Sequence, residues 1–148
     1  MPLYAIFINE GITRISIHAI GVETMSNNPA DTNDREMIEK TVQHYIDGAI
    51  SGKGDDMKPA FHGDATIYGY VGEDLFAGPI QGLYDWNDNN GAATELEARI
   101  ADIDIVGTVA TVRLELDNWT GNKFTDLFNL LKVDGEWKIM NKVFYLHA

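Results

Sequence analysis

With 148 residues and no cysteine, the chain is long enough to bury one self-sufficient core and has no disulfide or thiolate metal site to staple it. Twenty-three acidic residues against eleven basic ones give a net charge of −12, which repels phosphate backbones and anionic membrane surfaces alike. Neither nucleic acid nor a membrane is therefore an expected partner, and no stretch approaches the ~20 apolar residues of a membrane span.

Residues 3–8 are apolar, but Asn9, Glu10 and Gly11 cut the run short, and it lacks the basic start of a signal peptide. A cytoplasmic location is the expectation. Ile12, Ile15, Ile17 and Ile20 continue as an extra strand or as an extended arm. Met25, followed by the polar run 26–33, reads as an alternative start, so residues 1–24 are expected to be dispensable. That leaves 1–33 as an arm and 34–148 as the domain.

Within the domain, Ile38, Val42, Tyr45, Ile46 and Ala49 recur at spacings of three and four, the pattern of an amphipathic helix over 34–50. Asn33 with Glu36 resembles a capping box at its start. Gly48, Gly52 and Gly54 break the helix near Ser51, and Asp55 and Asp56 suit the first turn of a short second helix ending about Phe61. Residues 65–71 alternate as a strand, and a turn at 72–74 leads to a short segment at 75–77. Gly78-Pro79 is expected to open a third helix with Ile80, Leu83 and Tyr84 on its apolar stripe, closed by 87–91.

From Thr94 the pattern changes to four long strands, 96–106, 109–118, 123–133 and 137–147. Gly107, Thr120-Gly121-Asn122 and Asp134-Gly135 separate them with turn chemistry. Four such strands make an antiparallel meander that coils, with helices packed into its hollow, an α+β domain cupping a pocket. If Asp134-Gly135 is a two-residue turn, Val133 faces Glu136 and Asp126 faces Val143. Trp137, Ile139, Asn141, Val143 and Tyr145 then share a face with Phe124, Asp126, Phe128 and Leu130. A three-residue turn with a bulge puts Asp126 opposite Lys142 instead, since one residue of slip exchanges the faces of a strand.

Several segments carry a family resemblance: residues 61–65 (Phe-His-Gly-Asp-Ala), 117–121 (Asp-Asn-Trp-Thr-Gly), 124–126 (Phe-Thr-Asp), 130–139 and 141–144. With the order of elements, they make residues 34–146 resemble the NTF2-like, or SnoaL-like, superfamily, and within it the family called putative lumazine-binding. The resemblance implies a cone in which a curved antiparallel sheet wraps two to three N-terminal helices, with a pocket at the open end. It also implies a homodimer packed through the sheet. Relatives include ketosteroid isomerases, scytalone dehydratase, polyketide cyclases and non-catalytic binding domains, so fold alone does not decide function.

Asp126 is the leading candidate for a functional carboxylate, because burial between Phe124 and Phe128 would raise its pKa and suit it to general acid or base work. The competing structure is an Asp126–Lys142 ion pair across strands. His62, entering the first strand, is a second candidate for proton transfer, against an ordinary backbone hydrogen bond at a turn. Tyr68, Tyr84, Trp86, Trp119 and Tyr145 offer stacking surfaces and donors for a ligand, with Phe128 on the same face; each is equally at home in a core. Asn118 and Asn141, if turned inward, need a hydrogen-bond partner or a ligand. Residues 85–89 resemble the opening of a calcium loop, but Asn90 and Leu96 stand where it needs glycine and glutamate. Asn118-Trp119-Thr120 is a glycosylation sequon without a secretory signal. His18, His44 and His147 are scattered, so neither a metal nor another cofactor is expected. The first reading is a module that binds a small molecule. The alternatives are an isomerase or dehydratase using Asp126 or His62, and an assembly domain burying Leu127, Met140 or Phe144 against a partner.

Overall fold

The structure of the protein is a computed structural model that describes residues 3–9, 12–18 and 29–148. The chain divides into two compact units after Thr32. In the first, β1 (Leu3–Asn9) and β2 (Ile12–His18) pair as an antiparallel hairpin. The readings placed on Ile20 and Met25 lie outside the described residues.

The first long helix, α1 (Pro29–Ser51), begins earlier than its apolar stripe, with proline at its first position, where the missing N–H is no loss. Asn33 is consequently inside the helix, donating to Met37 Sδ at 3.5 Å, and the capping-box reading is corrected. The stripe itself is as expected: Ile38, Val42, Tyr45, Ile46 and Ala49 are buried. The helix α2 (Gly54–Met57) and a 3-10 turn (Lys58–Ala60) follow. They lie so close to α1 that a Cβ on Gly48 would stand 2.7 Å from the Met57 backbone nitrogen.

Strands β3 (Phe61–Val71) and β4 (Asp74–Pro79) then form an antiparallel pair, and α3 (Gln81–Asn90) comes after them. Pro79 closes β4 rather than opening α3, correcting the expectation. The strand is at the edge of the sheet, where a residue lacking an N–H is tolerated. Helix α3 ends at Gly91, whose φ of +85° suits a residue without a Cβ. Among the described residues, no helix is long and apolar enough to cross a membrane.

The meander is β5 (Glu97–Val106), β6 (Val109–Trp119), β7 (Asn122–Val133) and β8 (Glu136–Leu146). Together with β3 and β4 it forms a curved, unclosed sheet in the order β4-β3-β8-β7-β6-β5, antiparallel except where β3 meets β8. The inner face packs on α1, where Thr41 Oγ1 donates to the Trp137 carbonyl at 2.9 Å. Near the start of α1, the Asp34 carboxylate accepts from Lys132 Nζ at 2.8 Å and Trp137 Nε1 at 3.0 Å.

Those two donors hold the Asp34 carboxyl below its usual pKa of 3.8. A lowered folded-state pKa stabilises the fold above the unfolded value, and that contribution is lost as pH falls through the folded value. Asp34→Asn should therefore melt below wild type at neutral pH, and the gap should narrow as acid is added toward about pH 2. A gap that stays constant in thermal melts across that range would refute the ion pair's contribution.

The Asp134-Gly135 turn is the two-residue type, with φ of 50° and 80° and Val133 facing Glu136. The register does not persist. From Asn129↔Asn141 onward the pairing has moved by one residue, because Met140 is an extra residue in β8. Asp126 thus faces Phe144, neither Val143 nor Lys142. A second irregularity in β6 comes between Leu116 and Trp119, with Asn118 in the left-handed region at φ 59°. Both place two outward residues in succession, so Leu116 and Trp119 on one strand, and Ile139 and Lys142 on the other, all point inward.

Candidate functional site

The two bulges build the site. Beyond Met140, Lys142 and Phe144 turn to the inner face, and beyond Asn118 so does Trp119. With Trp86 from α3 and Phe124 from β7, they line a cavity of about 240 Å³. That is below the usual range of ligand pockets, about 300 to 1,000 Å³, and limits any occupant to a small molecule. Trp86 and Trp119 meet edge to face at 5.4 Å, and Trp119 meets Phe124 the same way at 5.6 Å. Phe144 sits over Gly69 of β3, where a Cβ would be 2.5 Å from its ring. The glycine is what lets this aromatic wall lie flat against the sheet.

The polar side chains of Asn90, Asn122 and Lys142 interrupt this apolar lining. The Trp119 indole N–H is buried without a hydrogen-bond partner, and Lys142 is the one charged side chain among the described residues that line the cavity. Lys142 is 3% exposed, and its Nζ donates to the Tyr45 hydroxyl at 2.7 Å and lies 3.2 Å from Asp126 Oδ2. The Tyr45 hydroxyl donates in turn to Asp126 Oδ2 at 2.6 Å, which closes a three-membered cluster. Asp126 Oδ1 has no partner. The ammonium also sits over the rings of Tyr45, Phe144 and Trp119 at 4.9, 5.3 and 5.5 Å.

Burial dominates the electrostatics. It pushes the Asp126 carboxyl up, against the pull of Lys142 and Tyr45. It pushes the Lys142 amine down, against the pull of Asp126. The Tyr45 phenol is raised well above its ordinary value by burial first and the Asp126 charge second. Desolvation opposes charge on either member, so both shifts ease passage of a proton from the Lys142 ammonium to the Asp126 carboxylate within the ion pair.

The structure places the sequence candidates as follows. Asp126 is fully buried, on the inner face, and in contact with Lys142 diagonally rather than directly across the strands. Trp86 and Trp119 line the cavity. Phe128 and Tyr84 are buried in the core beneath, each edge to face with a neighbouring ring, and burial lifts the Tyr84 phenol to about 12. His62 lies apart, its Nδ1 accepting the Asp64 N–H at 3.1 Å. Asn118 is in the β6–β7 turn region, where its Oδ1 accepts from the Gly121 N–H at 3.2 Å.

The shared-face reading of β8 is corrected for Asn141, Val143 and Tyr145. The Met140 bulge turns all three to the outer side, where Asn141 donates to Thr66 Oγ1 at 3.0 Å and Tyr145 is 64% exposed. Tyr68 is also on the outer side, 43% exposed and paired with Val143. The reading missed the cavity-facing position of Lys142 and the wall residue Phe144. Among the described residues no cluster of His, Asp or Glu has the makings of a metal site.

Comparison with known proteins places this geometry among relatives. The model of the family described as "Putative lumazine-binding" matches residues 33–145. An NTF2-like protein of unknown function from Methylobacillus flagellatus KT is 56% identical, with a TM-score of 0.77 over 78% of this chain and 94% of that one. Another, from Shewanella baltica OS155, is 41% identical with a TM-score of 0.76 over 79% of this chain and 96% of that one. Aldolase FrzH of Cladobotryum sp is 29% identical over 115 residues, which is 77% of this chain and 92% of that protein.

Proposed function

The chain belongs to the putative lumazine-binding family of NTF2-like proteins, and on that premise we propose that its cavity receives one small, flat, mostly apolar molecule bearing a carbonyl oxygen. The observation that carries this is the wall of Trp86, Trp119, Phe124 and Phe144, with Lys142 as the one charged side chain among the described residues of the lining. Aromatic edges and faces hold a planar ring system, and a lysine in an otherwise uncharged lining favours a ligand that brings an oxygen acceptor. The net −12 charge and the carboxylate behind Lys142 select against an anion. A heteroaromatic dione of the lumazine kind has this chemistry. The homodimer implied by the sequence resemblance would pack through the outer face, which exposes Tyr68, Tyr70, Leu127, Val143 and Tyr145.

Titration with lumazine, followed by tryptophan fluorescence, tests the reading. Saturable quenching is expected, and Trp86→Leu should weaken it by roughly 2–10-fold, the worth of about 0.5–1.5 kcal/mol of aromatic contact. Absence of saturable quenching with lumazine and with a set of flat bicyclic carbonyl compounds would overturn it.

A second reading, an enzyme that moves protons at a carbonyl compound, is favoured by one observation. The Asp126–Tyr45–Lys142 cluster is buried, hydrogen-bonded and continuous with the cavity through Lys142. Asp126 would then hold the proton, and Lys142 would meet the substrate oxygen. Aldolase FrzH carries a name that fits carbonyl chemistry.

A further inference from the structure

We propose that Lys142 is a nucleophilic amine that captures an aldehyde or ketone in the cavity as an iminium. This rests on the same cavity as the proposed function and names a class of molecule and a covalent step that binding alone does not require. Three features of the site carry it.

The first is position. Lys142 is the charged group of the lining, yet it is 3% exposed, so a molecule reaches its Nζ by filling the aromatic cavity and not from bulk water. The second is hydrogen-bond geometry. Nζ has two polar partners, the Tyr45 hydroxyl at 2.7 Å and Asp126 Oδ2 at 3.2 Å. A neutral amine has two hydrogens to give them, which leaves its lone pair on the side of Trp119 and Phe144, whose rings lie 5.5 and 5.3 Å away. The third is a proton store. Asp126 is fully buried, and its Oδ1 has no partner, a place for the proton that the amine must release. Burial moves the amine and the carboxyl in the directions this requires. Tyr45 stays protonated, and Glu115 adds a further upward push on Asp126.

The step balances. The Nζ lone pair forms a bond to the carbonyl carbon while the π pair moves to oxygen, which takes one proton. The nitrogen of this carbinolamine then expels the oxygen as water, using one hydrogen from the amine and the proton that Asp126 held. Amine, carbonyl compound and carboxylic acid become iminium, water and carboxylate. The new cation lies beside the new Asp126 carboxylate in place of the original ion pair. A desolvated lysine is an established means of activating an amine for this chemistry.

The test uses 2-naphthaldehyde and its non-electrophilic counterpart 2-naphthalenemethanol on the full chain at neutral pH. Binding of each is read by tryptophan fluorescence, and the aldehyde is trapped with cyanoborohydride and located by peptide mass spectrometry. Reductive capture adds the mass of the aldehyde less one oxygen. Lys142 should be modified faster than the six other lysines, since burial lowers its pKa and so raises its neutral-amine fraction. The alcohol should suppress that labelling, and Leu146→Trp, which fills the cavity and leaves the cluster intact, should abolish it without changing surface labelling. If both probes bind but Lys142 is labelled no faster than the surface lysines, carbonyl capture is wrong and the binding reading stands. If neither binds and Lys142 is not labelled, both fall.

Discussion

Lys142→Met is expected to destabilise the protein by about 3–5 kcal/mol, because it removes one partner of a fully buried ion pair and leaves the other without compensation. In chemical denaturation the midpoint should fall with an unchanged m-value. The loss should also depend on pH. Without Lys142, the largest influence lowering the Asp126 pKa is gone, and burial raises it further. A raised folded-state pKa stabilises the fold fully below the unfolded value of 3.8 and loses that contribution as pH rises through the folded value. The variant should therefore be weakest at neutral pH and recover toward wild type near pH 4. The triple variant Tyr45→Phe, Asp126→Leu and Lys142→Met should regain most of the loss, since it carries no desolvation penalty and leaves no buried hydroxyl without a partner. A single-variant loss under about 1 kcal/mol would mean that water reaches Asp126 when the lysine is removed.

Gly48→Ala is expected to be the next largest. In an exposed helix the change stabilises by about 0.8–1 kcal/mol, the propensity difference between the two residues. Here the sign should reverse. The added Cβ meets the Met57 side chain and stands 2.7 Å from its backbone nitrogen, so α2 must move as a unit. The expected net loss is about 1–3 kcal/mol, the usual range for overpacking. Gly82→Ala in α3 is the matched control. Its Cβ would lie 3.2 Å from the tip of the Phe76 ring, which can rotate away, so its stability should change by less than about 1 kcal/mol. Equal effects at the two positions would refute the close approach of α1 and α2.

The meander was readable because its turns are chemical. Asp134-Gly135 has the left-handed φ values that such a dipeptide supplies, Gly121 supplies one at the other end, and the two turns set where β7 begins and ends. The buried face of α1 was readable for a similar reason, since its spacing survives whichever residue caps the helix. The phase of β8 was not. Val143 and Tyr145 are as apolar as Phe144 and Leu146, so both faces of the strand's second half look like core, and hydrophobic alternation cannot choose between them. Met140 has no composition that marks it as an extra residue. The β6 irregularity left a fainter sign, an asparagine, which tolerates the left-handed region, just before the turn. As a result the face that Asp126 occupies was open from the sequence, and the position that brings Lys142 to the cavity depends on a backbone feature without a sequence signature.

The bulge at Met140 also divides β8 into two lengths. Trp137 and Ile139, on the turn side, pack against α1 and the core; Lys142, Phe144 and Leu146, beyond it, belong to the cavity. Loss of the one extra residue would leave Lys142, Phe144 and Leu146 facing inward, because Asn129↔Asn141 and Phe128↔Lys142 would then follow Leu130↔Ile139 in regular register. A lineage carrying this fold can thus lose the bulge through a single codon deletion and keep the lysine-bearing pocket, the same inner face being reached by a strand one residue shorter.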